Sequence, residues 1–265
     1  MSRWVRWFVL LALALGLAGC QTVKGVGTRI DKALDKVMGS KGQRLDPWEE
    51  WNRKVFAFNE AVDGAVLKPV AQVYKAVLPS PVQLAVTNFF GNVKDAWSAV
   101  NLFLQGRFAD GLSDVMRFGT NTVFGFAGVM DIATELGFER HGEDFGQTLG
   151  RWGVPSGAYI VWPILGPSTV RDSIGLPVDI MATPTSVVSV PLTRNTLTGL
   201  QLVSARAGVL TATGLIDDIA LDKYAFVRNA YLQRRRSLVY DGNPPDEEED
   251  AAMAPSAEPA ASAPR

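Results

Sequence analysis

VQLAVTNFFGNVKDAWSAVNLFLQ, running from Val82 to Gln105, decides the fold. Val86, Phe89, Phe90, Val93, Trp97, Val100, Phe103 and Leu104 recur at i, i+3 and i+4, so they fall on one stripe of a helix. Asn88, Asn92, Lys94, Asp95, Ser98 and Asn101 fall on the other face. Pro79-Ser80-Pro81 precedes the stretch and Gly106 closes it, both ordinary helix boundaries.

The same texture continues in both directions. Upstream, Asp46-Pro47 with Glu49 reads as a capped helix start, and Trp51, Val55, Phe58 and Val62 keep helical spacing until Pro69 kinks or restarts the helix. Downstream, a helix spans about 108–123 with Leu112, Val115, Met116 and Phe118 on one side, and a short one spans 129–136. Two long helices are expected at about 195–215 and 222–238, the last ending in Arg234-Arg235-Arg236. That triplet suits a helix C-terminus and its dipole, or an acidic or headgroup partner. Between them, Gly142, Gly146, Gly150, Gly153, Gly157 and Gly166 alternate with Pro155, Pro163 and Pro167. Within this segment Ala158-Tyr159-Ile160-Val161-Trp162 is either an interfacial loop or a buried hairpin. The stretch 172–194 is apolar and proline-broken, without clean periodicity. The fold class is all-α, with one small hairpin at most.

Cys20 is the only cysteine. Arg3 and Arg6, the apolar run 7–17 and Leu17-Ala18-Gly19 precede it, which is the layout of a secretory signal. That run falls short of the ~20 residues that span a bilayer. A cysteine directly after small residues resembles the bacterial lipobox. Residues 1–19 then form a lipoprotein signal peptide, Cys20 carries the acyl chains, and about 0.8 kcal/mol per buried methylene holds the chain on its membrane. Gln21 in place of an aspartate favours the outer membrane.

Residues 20–45 read as a tether, 46–240 as one domain, and 241–265 as a disordered acidic Pro/Ala-rich tail. Lys+Arg number 26 and Asp+Glu 27, but the tail collects many of the acids, leaving the body slightly basic. No basic cluster of the kind that binds nucleic acid stands out. After residue 20 no uninterrupted apolar run reaches the length of an ordinary span, so the high apolar content points to amphipathic helices that use lipid as part of their solvent.

The residues of an enzyme do not assemble in the sequence. His141 is the only histidine and reads as a polar surface residue; the Gly-x-Ser-x-Gly elbow, a Cys–His metal set and a phosphate-binding loop are all missing. We therefore expect no catalysis, no metal and no cofactor.

Several strings stand in a fixed order: Asp46-Pro47-Trp48-Glu49 followed by 52–59; Asn88-Phe89-Phe90-Gly91-Asn92; Asn101 with Leu104-Gln105-Gly106; Arg117-Phe118, Asn121-Thr122 and Asp131; Asp144 to Gly153; Leu165-Gly166-Pro167 with Arg171-Asp172; and Asp222 to Arg234. With the lipobox, this resembles the MlaA (VacJ) family of outer-membrane lipoproteins. The resemblance implies a ring-like bundle of amphipathic helices in the periplasmic leaflet of the outer membrane, around a polar channel. Mislocalised phospholipids would pass through it to a periplasmic lipid-carrier protein, and the ring would sit beside trimeric porins. Asn88, Asn92, Asp95 and Asn101 are then candidates for the channel face. Arg117, Arg171 and Arg228 are candidates for phosphate contacts, or else structural partners of Asp131, Asp172 and Asp222. Gly146, Gly150, Gly153 and Gly157 are candidates for a hinge or gate, or else tight turns. Two other readings remain open: a structural porin-associated lipoprotein, and a lipoprotein phospholipase.

Overall fold

A computed structural model describes residues 45–245. Cys20, the signal peptide, nearly all of the tether and the tail beyond residue 245 lie outside the described residues.

Helix α1 spans Glu49–Val62 and runs through a π-helical turn, Asp63–Leu67, into α2, Lys68–Val77. The π turn lies just before Pro69, whose missing N–H would interrupt an ordinary helical ladder. Asp46 does not cap α1. It is buried, and Asn52 and Tyr224 donate to it.

Helix α3 is Ser80–Leu104, α4 Phe108–Val123, α5 Ile132–Glu135 and α6 Phe145–Arg151. Strands β1 (Tyr159–Trp162) and β2 (Gly166–Thr169) form an antiparallel hairpin with Tyr159 opposite Thr169. Ala158, Tyr159 and Val161 are buried, so the aromatic stretch is a hairpin strand under the helices, not a free loop.

Helix α7 (Val170–Met181) follows, and it contains Pro177. Together with a 3-10 turn, Pro184–Val187, it orders the stretch that showed no periodicity. Helices α8 (Pro191–Ile219) and α9 (Lys223–Val239) complete the chain. Residues 241–245 fold back, with Asp241 paired to Arg107 and Arg151, so the body extends slightly past residue 240.

The packing order closes on itself. Helix α2 packs on α8, α8 on α3, α3 on α6, α6 on α9, α9 on β2, and β1 on α1. That circuit makes the domain a mainly helical ring. Helix α8 is mostly unburied and, by length and composition, is apolar enough to cross a membrane, with a mean hydropathy of 1.2 over 18 residues. The expectation of no such helix rested on uninterrupted runs; here small and polar residues interrupt a helix that is apolar on average.

Burial is inverted relative to a water-soluble domain. On α3 and α4, Asn92, Asp95, Ser98, Asn101, Asp114, Arg117 and Asn121 are buried, whereas Val100, Phe103, Leu112, Val115 and Met116 are exposed. On α3 the apolar stripe is split, with Phe90 buried, Val86, Phe89, Val93, Trp97 and Leu104 half-buried and Val100 and Phe103 exposed, while on α4 the apolar side lies outward, an arrangement lipid as a solvent favours. An ordinary core does exist on one side of the ring. There Val55, Tyr159, Val161 and Tyr224 cluster, with Phe56, Tyr231 and Leu232 packed against them.

Candidate functional site: a polar interior and an acidic cavity

The inner faces of α3 and α4 meet through charge. Arg117 is 1% exposed. Its Nε donates to Asp95 at 3.2 Å and its Nη2 to both oxygens of Asp131 at 3.0 and 3.1 Å. Arg140 adds an ion pair to Asp95 at 2.9 Å. Asp131 caps α5 and also accepts from Asn121. Burial pulls its carboxyl up, but the bonds from Thr134 and Asn121 and the Arg117 charge overcome this and hold it down at about 2. A buried guanidinium without such partners would cost several kcal/mol.

The asparagines stitch the same interior. Asn88 donates to the Val129 carbonyl at 3.1 Å and Asn92 to Thr122 at 3.0 Å. Asn101 donates to the Trp97 carbonyl and accepts from Thr148 at 2.8 Å. Asn92, Asp95 and Asn101 do face inward. They are enclosed by protein, however, so they do not line an open channel wall; Asn88 is only half-buried.

The three candidate phosphate contacts are each paired with a carboxylate. Arg117 takes Asp131, as the structural alternative expected, and Arg171 takes its neighbour Asp172 at 3.0 Å. Arg228 pairs with Asp46 at 3.0 Å instead of Asp222, which pairs with Arg53 at 2.7 Å.

The candidate gate glycines have local duties. A Cβ on Gly146 would meet Asp172 at 2.7 Å, and one on Gly150 would meet Arg171 at 2.7 Å and Val239 at 2.8 Å. Those two let α6 approach α7 and α9. Gly153 and Gly157 hold φ values of +89° and +68°, which side chains resist. Close packing explains a glycine at the first two positions and positive φ at the other two. His141 is also not a surface residue: its Nδ1 lies 3.0 Å from Asp114 Oδ1, and Asp114 is fully buried.

Beside this interior lies a cavity of about 170 Å³. Trp162, Leu165, Pro167 and Leu176 give it an apolar part; Asp144, Asp172, Asp179, Tyr231 and Arg235 give it a charged one. Arg235 bridges Asp144 at 2.5 Å and Asp172 at 2.9 Å. Burial opposes ionisation of Asp172, but Arg235 and Arg171 hold its carboxyl below the usual range. Asp179 differs. Its Oδ1 accepts from Trp97 Nε1 at 2.7 Å and from the Phe145 N–H at 2.9 Å, and burial pushes its carboxyl up.

The hairpin that walls this cavity hangs from α1. Asn52 donates to the Tyr159 carbonyl at 3.1 Å and accepts from the Val161 N–H at 2.9 Å. Two turns further along the same face, Asn59 does the same for Trp162 and Ile164 at 3.0 and 2.7 Å. Sequence reasoning gave no site role to Asn52, Asn59 or Asp179, and saw Arg235 only within a basic helix end. The seven-residue spacing of two asparagines on one helix face was the available signal for the first pair.

Comparison with known proteins fits this geometry. The MlaA lipoprotein family matches residues 44–238. The intermembrane phospholipid transport system lipoprotein MlaA of Shigella flexneri is 33% identical over 215 residues, covering 80% of this chain and 85% of the relative. An uncharacterized protein of Rickettsia bellii is 34% identical over 203 residues, 73% of this chain and 76% of that one. A solved structure, described as the structural basis for maintenance of bacterial outer membrane lipid asymmetry, superposes with a TM-score of 0.66 at 32% identity. It covers 74% of this chain and all of its own. Matched from the first helix to the last, and a third identical to its relatives over most of their length, the chain belongs to the MlaA lipoprotein family.

Proposed function

We propose that this chain is an outer-membrane lipoprotein, acylated at Cys20, that serves intermembrane phospholipid transport and maintains lipid asymmetry. It takes mislocalised phospholipids from the outer leaflet through an amphipathic path in the ring and passes them to a periplasmic lipid-carrier protein. It lies in the periplasmic leaflet, beside trimeric porins, and carries out no covalent chemistry.

The observation that carries this reading is the inverted burial of α3 and α4, with Leu112, Val115 and Met116 outside and Asp95, Asp114 and Arg117 inside. A two-chain lipid has roughly thirty methylenes, so exposing it to water costs on the order of 20 kcal/mol or more. A protein that moves it must keep the chains in apolar surroundings and offer polar ones to the headgroup. A ring that is apolar outside and polar inside supplies both. Direction is not set by these residues, because the chain has no energy source of its own; inward transport follows from the family.

One observation favours a second reading. The inward polar groups of α3 and α4 are largely matched to protein partners, which also suits a static scaffold beside a porin. Outer-leaflet phospholipid in cells lacking the gene separates the two. Transport predicts a rise that wild type reverses and Cys20→Ala does not. An unchanged outer leaflet, with no redundant pathway present, leaves the scaffold.

A further inference from the structure

The cavity beside the hairpin has one carboxylate that no described residue answers with an ion pair. Asp144 and Asp172 share Arg235, and Asp172 has Arg171 as well. Asp179 lines the same cavity, accepts its two hydrogen bonds on Oδ1 alone, and forms no ion pair with any described residue. Its two donors, an indole N–H and a backbone N–H, are neutral and fix the carboxylate in place without neutralising it. Arg235 acts on it through space without forming an ion pair, so a half-buried carboxylate in that position gains from a nearer cation.

The rest of the cavity narrows the choice of cation. Trp162 is 39% exposed on the rim, held by a 2.9 Å bond from its Nε1 to Ser173, and an indole face suits an organic ammonium. Leu165, Pro167 and Leu176 suit the methylenes that carry such a group. About 170 Å³ has room for a headgroup but not for acyl chains. Anionic headgroups fit poorly, since Arg235, the arginine among the lining residues, spends both terminal nitrogens on two carboxylates and keeps Nε, its one nitrogen unpartnered among the described residues, buried.

We propose that this cavity is a headgroup site for an ammonium-bearing, zwitterionic phospholipid, with Asp179 as the residue that selects it over anionic lipid. The inference rests on the transport reading and adds a substrate preference to it. The ammonium meets the free Oδ2 of Asp179 while Trp162 covers it.

The test uses full-length protein in nanodiscs of mixed phosphatidylethanolamine and phosphatidylglycerol, with bound lipids identified by native mass spectrometry. Wild type is expected to hold phosphatidylethanolamine enriched about threefold over the bilayer, the scale of a half-exposed ion pair. Asp179→Asn keeps the acceptor for Trp97 and Phe145 and removes the charge, so the ratio should return to that of the bilayer with the amount of bound lipid unchanged. Leu176→Lys, which places a cation in the cavity and leaves Asp179 intact, should do the same and guards against a folding defect in the first variant. Enrichment that survives both substitutions overturns the headgroup assignment. Lipid bound by the wild type in the bilayer ratio also overturns it and leaves transport standing. A wild type that binds no lipid overturns the transport reading itself. Free ethanolammonium carries the same group, so titration of detergent-solubilised protein with its chloride forms a second arm. No binding is expected at millimolar concentration; binding there would assign the site to a soluble amine instead.

Discussion

The two sides of the ring differ in what lies at their centres. Where α3 meets α4, ion pairs and asparagines are inside and valine, leucine and methionine are outside. Where the hairpin meets α1 and α9, aromatic and aliphatic side chains are inside, as Phe56, Tyr159 and Tyr224 stack edge to face. The second side has an apolar cluster at its centre, although it also buries Asp46 and Asn52 and leaves Trp51, Phe58, Ile164 and Leu165 exposed. The first leaves Val100, Phe103, Leu112, Val115 and Met116 on its outer surface. In the proposed membrane lipoprotein that surface meets lipid.

That contrast can be broken most forcefully at Arg117. Arg117→Met leaves Asp95 and Asp131 sharing the half-exposed Arg140, and should cost about 3 kcal/mol in detergent unfolding. An acid titration should show the same dependence more gently. Asp131 has a carboxyl held at about 2, below its value in an unfolded chain, so its contribution is complete above about pH 4 and is lost as pH falls through about 2. Asp131→Asn should flatten that limb of the stability curve by on the order of 2 kcal/mol.

On the hairpin side the expected sign differs. The Tyr159 hydroxyl is buried without a hydrogen-bond partner among the described residues, so Tyr159→Phe should be neutral or stabilising by up to about 1 kcal/mol. A comparable loss of a hydrogen-bonded polar group in the α3–α4 interior should destabilise. The smallest effect belongs to the outer face. Leu112→Ser, at a position already 58% exposed, should change unfolding in detergent by less than about 0.5 kcal/mol, yet weaken partition of unacylated protein into vesicles.

Much of the fold was legible because its helices are long and periodic. The predicted 108–123 helix is the observed α4, and α3 begins two residues before its predicted start and ends one residue early. The outward apolar side of α4 was legible in part, since the resemblance to a membrane lipoprotein made lipid an available solvent, but the burial of Phe90 on α3 was not. Helix α7 was hidden because Pro177 and an apolar surface on several sides erase periodicity. The candidate site was less legible. A sequence shows that Asn92, Asp95 and Asn101 share a face, but not whether that face opens on water or on Thr122, Arg117 and Thr148. Asp179 and Arg235 become a site only when the packing of α6, α7 and α9 brings together residues far apart in the chain. The arginines show the same limit. Arg117 and Arg171 found the acids expected of them, while Arg228 took Asp46 and left Asp222 to Arg53, both through tertiary contacts.

If the inverted side of the ring is a lipid-facing side, the exposed apolar face of α4 meets hydrocarbon while the exposed polar face of α9 around Gln233 and Arg234 meets water. Cys20 is the only native cysteine, and acylation occupies its sulfur in the proposed mature lipoprotein, so one introduced cysteine carries one label. Spin labels at Met116→Cys and at Gln233→Cys, an exposed position on α9, would be compared in reconstituted full-length protein for collision with oxygen and with a water-soluble nickel complex. The predicted result is oxygen-dominated relaxation at 116 and nickel-dominated relaxation at 233. Equal access of the nickel complex to both positions would contradict it.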